Sequence, residues 1–401
     1  MPIDFNPYIQ NIQPQIVNQQ YIAKNKSSKD VFVKTINPLY EGIKIEKKSF
    51  GKLKKTGEKT ELYTITNKNG ASVSLSTFGA TITGIRVPDK QGKLIDVTQG
   101  YSNVTPYETA PVGHAGGTIG PYANKIQNGK FKIGEKEYTL ECNKDNGRSH
   151  SHGGSEGFDV RNWTAKLLKD GVEFTYIKED GENNYPGNVV TTVTYKFDNE
   201  NRLHIQYNAT SDKDTIVNLT NHTYFNLDGS LKGEENSILD HIVKLPNSSQ
   251  ITEINKMGIP TGKFIDVKNT PFDFTKETKI GDVINFPEEQ LTFAKGFDHN
   301  YCVDNYDGKS LIKIAEIESD KSGIKLEVSS NLPGFQFYTA NNLGKSAQPR
   351  GKDGIKYEKR SGLCIEPQFY PNAINTESFK EKGILKAGET YSREIVYHFS
   401  N

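Results

Sequence analysis

The chain has 401 residues, of which 34% are apolar and 25% are charged, so a sizeable hydrophobic core is expected and wholesale disorder is not. A formal net charge of +1 argues against a nucleic-acid-binding protein, which needs a basic face, and it leaves a neutral ligand open. The sequence contains no run of about 18 consecutive apolar residues, which argues against a membrane-spanning helix.

The first part of the chain, residues 1–45, differs in composition from the rest. It is rich in Asn, Gln and Lys, and it lacks the basic start and apolar core of a secretory signal. We therefore expect a polar, loosely attached N-terminal extension, with a tail packed on the domain or on a partner as the alternative. The three scattered cysteines, without a C-x-x-C pair, favour a reducing compartment, and we expect a cytoplasmic protein unless Met1 replaces a removed signal.

Residues 46–401 have the pattern of antiparallel strands, in which short runs rich in Val, Ile, Thr, Tyr and Phe are divided by turn signals. ELYTITNKNGASVSLSTF predicts a hairpin around Asn69-Gly70, and GIRVPDKQGKLIDVTQG predicts another around Gln91-Gly92. Helical signals are few, and TKIGDVINF predicts only a turn or two. No period of about 20 to 50 residues is evident, which excludes a propeller or solenoid. The predicted fold class is all-β, with one large antiparallel β-sandwich domain.

The stretch VNLTNHTYFNLDG, residues 217–229, reads as a strand with an unusual polar face. Its odd-numbered residues would form a mainly apolar face, whereas the even-numbered ones, Asn218 to Asn226, would form a wholly polar one. That face offers amides, a phenol and an imidazole, which suit a concave surface gripping a ligand rich in hydroxyls. A merely solvated face is the alternative for a single strand. His222, with an ordinary pKa of about 6.5, is its member able to exchange protons near neutrality.

Further polar groups lie in HSHGGSEGFDVRNW, GFDHNYCVD and PGFQFYTANN. His150 and His152 precede two glycines, which let the backbone approach a ligand closely. As a metal pair they lack an evident third ligand, so we predict no metal site. Asp298 lies between a loop and a strand, and Gln336 and Tyr338 share one strand face.

Two more segments complete the set of candidate site residues. In SGLCIEPQFYPNAIN, Glu366 ends an apolar strand, where a buried carboxylate needs either a salt bridge or a role as a base. GGTIGPYANKIQNGKF contributes Asn124 and Lys125 in a glycine-rich connection, which lacks the GK[ST] of a phosphate-binding loop.

These segments, taken in order, resemble the galactose mutarotase (aldose 1-epimerase) family. The resemblance spans about residues 50–400 and leaves the N-terminal extension uncovered. It implies a galactose mutarotase-like supersandwich with a sugar bound in an open cleft on one sheet. The segments that carry it are GGTIGPYANKIQNGKF, SHSHGGSEGFDVRNW, ENNYPGNVVTTVTY, VNLTNHTYFNLDG, IPTGKFIDVKNTPFDF, GFDHNYCVD, PGFQFYTANN and CIEPQFYPNAIN.

The resemblance also implies roles for individual residues. Glu366 corresponds to the general base of the family, and His222 corresponds to its general acid. The family usually reads GRxANR where this chain reads GPYANK, so Pro121 and Lys125 replace two arginines. Lysine keeps the positive charge but lacks the planar fork of donors, so its sugar contact is not equivalent. The residues expected to bind the substrate are Asn124, Lys125, His152, Tyr224, Asp298 and Gln336.

The implied activity is an aldose 1-epimerase that interconverts the α and β anomers of free hexoses such as galactose and glucose. Only protons move during ring opening and reclosure, so we expect no cofactor and no metal, in a monomer or homodimer. A glycoside hydrolase normally uses two carboxylates, which leaves His222 unexplained. A sugar-phosphate mutarotase should show an arginine cluster for the phosphate. A non-catalytic sugar-binding protein has no need of an acid and a base.

Overall fold

The described part of the chain consists largely of β-strands and their connections. The structure is a computed structural model that describes residues 37–109, 113–344 and 348–401. Of the predicted N-terminal extension, residues 1–45, the first 36 residues lie outside the described part of the chain. The first strand begins at Lys44. In the part described, no helix combines the length and the apolar character that crossing a membrane requires.

The strands and helices are numbered in chain order. The strands are β1 (Lys44–Lys52), β2 (Lys59–Thr66), β3 (Ser72–Ser76), β4 (Thr81–Pro88), β5 (Leu94–Asp96), β6 (Thr118–Ile119), β7 (Lys125–Gln127), β8 (Lys130–Ile133), β9 (Lys136–Thr139), β10 (Ser149–Ser151), β11 (Thr164–Leu167), β12 (Val172–Lys178), β13 (Val189–Phe197), β14 (Arg202–Ser211), β15 (Thr215–Ile216), β16 (Thr220–Asn221), β17 (Ile242–Lys244), β18 (Gln250–Ile254), β19 (Pro260–Asp266), β20 (Thr278–Lys279), β21 (Asp298–Cys302), β22 (Ile312–Glu318), β23 (Lys325–Ser330), β24 (Gly334–Tyr338), β25 (Cys364–Gln368), β26 (Ile384–Leu385) and β27 (Thr390–Ser400). The α-helices are α1 (Val104–Thr109), α2 (Ile280–Val283) and α3 (Glu289–Ala294), and single 3₁₀ turns cover Pro38–Tyr40, Phe158–Val160, Glu182–Asn184, Lys352–Gly354 and Ala373–Asn375.

Three antiparallel sheets share one hydrophobic core. The first has the order β1-β2-β3-β4-β5, and the second has the order β11-β12-β13-β14-β27-β23-β22-β17-β20. Along β13 and β14 every second residue is fully buried, because side chains alternate between the two faces of a strand. Tyr63 of the first sheet meets Phe174 of the second edge to face, with ring centroids 6.0 Å apart. The all-β prediction is confirmed, as are both hairpins, β2–β3 and β4–β5.

The third sheet, β19-β18-β21-β24-β25, carries the candidate site. One of its faces contributes Phe335, Phe337 and Ile365 to the core that it shares with the other sheets. The opposite face carries Gln336 and Glu366, directly across from each other on β24 and β25. Alternation along two short strands therefore separates the core face from a polar face, as PGFQFYTANN and CIEPQ predicted.

The strand predicted over VNLTNHTYFNLDG is mostly wrong. Only β16 forms there, paired with β6, and odd- and even-numbered residues alike are buried from Val217 to Leu227. Asn218 explains part of the difference, because its side chain donates to two backbone carbonyls and accepts from the Phe369 backbone N–H. Asn226 likewise donates to the Ser361 carbonyl. These amides tie irregular backbone together in place of a ladder, so they do not form the predicted ligand-gripping face.

A charged cluster at the start of β14 makes the stability of the fold depend on pH. The ring nitrogens of His204 lie 3.0 Å from Glu394 Oε1 and 3.8 Å from Asp198 Oδ2. Hydrogen bonds to Asp198 and Glu394 raise the pKa of His204 from 6.5 to about 9. A raised histidine pKa stabilises the fold fully below the unfolded value, and this stabilisation is lost as pH rises through the folded value.

We therefore expect the free energy of unfolding to fall between pH 6.5 and about 9, by about 1–2 kcal/mol after allowance for solvent screening of the partly exposed ring. Urea unfolding at pH values on either side of this window measures the fall. The His204→Gln variant should lose it, whereas His398→Gln, on neighbouring β27, should keep it. An equal fall in His204→Gln would contradict the assignment.

Candidate active site

The polar face of the third sheet holds two carboxylates in a row of amides. Asn300, Gln336 and Glu366 lie opposite one another across β21, β24 and β25. Gln336 Nε2 donates to Asp298 Oδ1 at 2.7 Å, and Gln368 Nε2 donates to Gln336 Oε1 at 3.2 Å. Cross-strand pairing sets the spacing of these groups, and the hydrogen bonds restrict the rotamers of Asp298, Gln336 and Gln368. Strand pairing alone places Glu366, so the two acids share one platform on this sheet.

His222 approaches this platform from the segment that follows β16. Its backbone is held on both sides: His222 N–H donates to the Gly117 carbonyl, and Gly116 N–H donates to the His222 carbonyl. Gly116 has a φ of +70°, and a Cβ there would lie 2.0 Å from the Ile82 carbonyl oxygen, so only glycine fits. This arrangement places His222 Nε2 3.6 Å from Glu366 Oε1. The predicted acid and base therefore meet in one site.

His152 completes a cluster of three chemically active groups. It adopts a left-handed φ of +54°, and Gly153 follows with a φ of +86°. A Cβ on Gly153 would lie 2.0 Å from the Gly120 carbonyl oxygen, so the glycine after the histidine is needed for this close backbone approach. One atom each of His152, His222 and Glu366 lies within 4.8 Å of the others.

Burial shifts the pKa values of both Glu366 and His222. Glu366 is 2% exposed and His222 is 5% exposed. Burial, with the neighbouring charge of Asp298, raises the pKa of Glu366 well above 4.5. Burial, with the charge of His114, lowers the pKa of His222 to about 3. Both shifts favour the uncharged form of their group, and in that state the pair holds one titratable proton.

One carboxyl oxygen of Glu366 lacks a hydrogen bond in the described part of the chain. Its Oε2 is buried, and in the described part of the chain no protein group forms a hydrogen bond with it. A buried acceptor without a partner costs free energy of about 1–3 kcal/mol. A ligand hydroxyl that donates to this oxygen would remove the cost. The residue therefore has a reason to be at this position that a structural salt bridge does not supply.

Two neighbours define the orientation of the His222 ring. Cys364 Sγ lies 3.5 Å from His222 Nδ1 on the far side of the ring from Glu366. When the thiol donates to Nδ1, the proton of the neutral imidazole is on Nε2. The ring of Tyr224 lies 5.0 Å from that of His222 and 6.1 Å from that of Tyr338. Tyr224 therefore lies beside the predicted acid, as the resemblance implied.

The structure places Asn124 and Lys125 beside His152. Asn124 has a left-handed φ of +61°, and its backbone N–H lies 3.3 Å from His152 Nδ1. The Lys125 ammonium pairs with Asp145 at 3.1 Å and donates to the Met257 carbonyl. The lysine that stands in place of a family arginine thus has two partners within the protein. Its predicted contact with a ligand remains a prediction.

His150 does not belong to the site, although the sequence places it two residues from His152. It is buried, with its ring nitrogens 2.7 Å from the Glu141 carbonyl oxygen and 2.6 Å from the Tyr185 hydroxyl. The fold instead brings His222 and Glu366 to His152, ligand types that a metal could use. Zinc sites need atoms about 2.0–2.2 Å from the ion, so this set would have to contract around one. The expectation of no metal therefore remains a prediction.

Sequence reasoning missed His114 and Asp159. His114 Nδ1 lies 2.7 Å from Asp159 Oδ2, and its ring centroid lies 4.8 Å from that of His152 and 5.8 Å from that of His222. The available signals were weak. His114 stands just before the glycine-rich segment GGTIGPYANK, and Asp159 ends the GFD of HSHGGSEGFDVRNW. Neither pattern indicates that the two side chains meet.

The chain is similar in sequence and in fold to known proteins. The aldose 1-epimerase family model matches residues 61–398. A galactose mutarotase from Mus musculus is 36% identical over 359 residues, which are 89% of this chain and 99% of the relative. The aldose 1-epimerase of Escherichia coli (strain K12) is 32% identical, over 86% of this chain and 96% of its own. The crystal structure of a galactose 1-epimerase from Lactobacillus acidophilus has a TM-score of 0.75 at 26% identity, over 89% of this chain and 99% of that one.

Proposed function

The chain belongs to the aldose 1-epimerase (galactose mutarotase) family and interconverts the anomers of aldoses, and we propose that Glu366 is its general base and His222 its general acid. The observation that carries this proposal is the 3.6 Å separation of Glu366 Oε1 and His222 Nε2 in a buried site. The two reacting oxygens of a cyclic aldose, O1 and O5, are bonded to the same carbon. An acid and a base this close together can serve both oxygens at once.

Ring opening requires one proton to leave O1 and one to reach O5. Glu366 accepts the proton of the C1 hydroxyl, the O–H electron pair forms the C1=O bond, and the C1–O5 bond breaks. His222 delivers its Nε2 proton to the departing O5. After rotation about C1–C2, His222 takes the proton back from O5 as O5 attacks the other face of C1. Glu366 then returns its proton to O1, and both groups are restored.

Substrate binding provides the protonation states that this sequence needs. In the empty site, burial favours the carboxyl form of Glu366 and the neutral form of His222. A hydrogen bond from the C1 hydroxyl stabilises the carboxylate, which lowers the pKa of Glu366 relative to the empty site. The single proton of the pair can then reside on His222, next to O5.

The remaining site residues are proposed to bind the other hydroxyls and fix the ring in place. Asp298 accepts from Gln336, and this bond leaves its other oxygen to accept from the sugar. Free hexoses such as galactose and glucose are the proposed substrates. The full set proposed to bind the sugar is Asn124, Lys125, His152, Tyr224, Asp298 and Gln336.

The other proposals rest on sequence composition. A net charge of +1 supports the absence of a nucleic-acid partner, and three scattered cysteines support a cytoplasmic location. We propose that residues 46–401 form the catalytic domain, as a monomer or homodimer, with residues 1–45 as an extension.

Polarimetry of freshly dissolved α-galactose and α-glucose tests the function directly. The protein should speed the approach to the equilibrium optical rotation in proportion to its concentration. Exchange spectroscopy by NMR at equilibrium should show the same acceleration of both anomer interconversions. Sugar binding without any acceleration would overturn the proposed function.

The acid limb of the pH profile of kcat/KM should lie at lower pH than an ordinary carboxyl group would place it. The one-proton form of the pair persists down to the lowered pKa of His222, about 3, instead of ending at the ordinary carboxyl value of 4.5. Since kcat/KM reports the free enzyme, it should stay constant within about twofold as pH falls from 4.5 to about 3.5. Enzymatic rates corrected for spontaneous mutarotation measure this, with circular dichroism confirming the fold at each pH. A tenfold fall per pH unit below 4.5 would contradict the pairing.

A further inference from the structure

His114 forms a third imidazole wall of the site. Its ring lies 4.8 Å from that of His152 and 5.8 Å from that of His222, which are themselves 5.6 Å apart. The three rings thus form a nearly regular triangle. The side chain of His114 is 25% exposed, whereas that of its partner Asp159 is 5% exposed. The histidine is therefore the more accessible member of the pair, and its anchor is buried.

The backbone around His114 is built to hold it there. His114 has a φ of +53°, a strained conformation for a residue other than glycine. Its carbonyl accepts from Gly117 N–H, and the same turn pairs with the backbone of His222 through Gly116 and Gly117. A Cβ on Gly117 would lie 2.7 Å from the Cβ of Asp159, so the turn packs directly on the anchoring acid. Asp159 and His114 are thus parts of one rigid unit.

The pair His114–Asp159 presents a nitrogen that suits a hydroxyl. Asp159 Oδ2 lies 2.7 Å from His114 Nδ1, so Nε2 is the ring nitrogen that can bond a ligand. A hydroxyl both donates and accepts, so it can bond Nε2 of either the neutral or the protonated ring. A carboxylate bonded to one ring nitrogen commonly fixes the orientation of an imidazole whose other nitrogen is functional.

The positions of the other groups indicate which part of the sugar reaches His114. Glu366 lies on the sheet beside Gln336 and near Asp298. With Glu366 as the proposed base at O1, that platform would serve the C1 and C2 side of the ring. His222 serves O5, the oxygen between C1 and C5. His114 is joined to His222 through the backbone and lies next to it in space, so it lies on the C5 side.

We infer that His114 binds a sugar hydroxyl on the C5 side of the ring, O4 or O6, and thereby sets which aldose is preferred. This inference rests on the proposed function and assigns a specificity residue to it. Asp159 is its positioning residue, because it acts on the sugar only through the His114 ring.

The charge of His114 also acts on the two neighbouring histidines, His222 and His152. After burial, the charge of His114 is the next cause that lowers the pKa of His222 and of His152. Replacing His114 with a neutral residue should therefore raise the pKa of His222 and move the acid limb of kcat/KM to higher pH. The other groups that face His222 are Glu366, Cys364, Tyr224, Tyr338, His152 and the more distant Lys144.

The test pairs a change in the protein with the matching change in the sugar. Anomer-exchange kcat/KM is measured for galactose and its 4-deoxy and 6-deoxy derivatives with the wild type, His114→Ala, His114→Gln and the distant control His204→Gln. The wild type should lose about tenfold or more with one deoxy sugar, the effect expected when a polar partner that the bound sugar covers is left unpaired. His114→Ala should lose as much with galactose and show little further loss with that deoxy sugar. His114→Gln should recover part of the activity, and His204→Gln should match the wild type.

Two outcomes would overturn the inference. One is a wild type that uses galactose and both deoxy sugars equally within about twofold, which needs no variant to fold. The other is a His114→Ala variant whose loss is the same factor for every sugar, because a merely structural role has no preference among hydroxyls. A wild type without any anomer exchange would instead reject the proposed function itself.

Discussion

Replacing Glu366 with glutamine should lower kcat for anomer exchange by about 10²- to 10⁴-fold, the usual contribution of one positioned proton transfer. Glutamine keeps the shape and the hydrogen-bonding capacity of the side chain but cannot accept the proton of the C1 hydroxyl. The sugar should therefore still bind, so that the loss falls on kcat and much less on KM.

The same change should leave the melting temperature equal or higher. Glu366 is 2% exposed, its Oε2 has no hydrogen-bond partner in the described part of the chain, and burial raises its pKa well above 4.5. A buried carboxyl group in these conditions destabilises the fold whenever it ionises, and a neutral amide of the same size cannot ionise. Retained or increased stability with lost turnover is characteristic of a residue placed for function.

Glu358→Gln provides a matched control, since it also removes one carboxylate but at a side chain that is 59% exposed. Polarimetric progress curves and thermal unfolding of both variants against the wild type separate the two effects. The control should match the wild type in rate. Full activity in Glu366→Gln would reject the residue as the base.

The regular parts of the fold followed from local pattern. In β13 and β14 each inward side chain is followed by an outward one, so burial and hydrophobicity have the same period of two. For the same reason Gln336 and Glu366 could be assigned to the polar face of β24 and β25. A turn or two of helix was expected from TKIGDVINF, and α2 lies there, whereas the six-residue helices α1 and α3 were not expected.

The irregular parts depend on partners far away in the chain. Asn218 was assigned to a ligand-binding face, but its amide bonds backbone at Phe369, 151 residues later. Lys125 is still expected to contact the ligand, and the sequence did not indicate that its ammonium pairs with Asp145 and donates to the Met257 carbonyl. Side-chain-to-backbone hydrogen bonds of this kind depend on tertiary packing, and the local spacing of residues in the sequence does not predict them. The same holds for His114 and Asp159, which are 45 residues apart.

Residue chemistry selected candidates that the structure brings together even where the predicted backbone was wrong. His222 was selected within a strand that mostly does not form, because an imidazole among compact amides is unusual in any backbone conformation. Its neighbour in space, Glu366, was selected because a carboxylate in an apolar strand needs an explanation. The two converge because the turn around Gly116 and Gly117 fixes the backbone of one, and the third sheet fixes the other.

Replacing His222 with asparagine should also lower kcat by about 10²- to 10⁴-fold, because no group then delivers a proton to O5 as the C1–O5 bond breaks. The Glu366→Gln/His222→Asn double variant should be little slower than either single variant. The two side chains act in one concerted transfer, and the effects of residues that act as a unit are far from additive. Rates for all three variants are compared by polarimetry under the same conditions.

A second buried histidine, His150, is the control for this variant. Its nitrogens contact the Glu141 carbonyl and the Tyr185 hydroxyl, so His150→Gln should lower the melting temperature while kcat changes little. His222→Asn should show the reverse, a large loss of kcat with a small change in stability, because the ring nitrogen that it removes faces Glu366 instead of a structural partner. If the double variant multiplied the two single losses, the residues would be acting in separate steps, and the shared-proton mechanism would have to be abandoned.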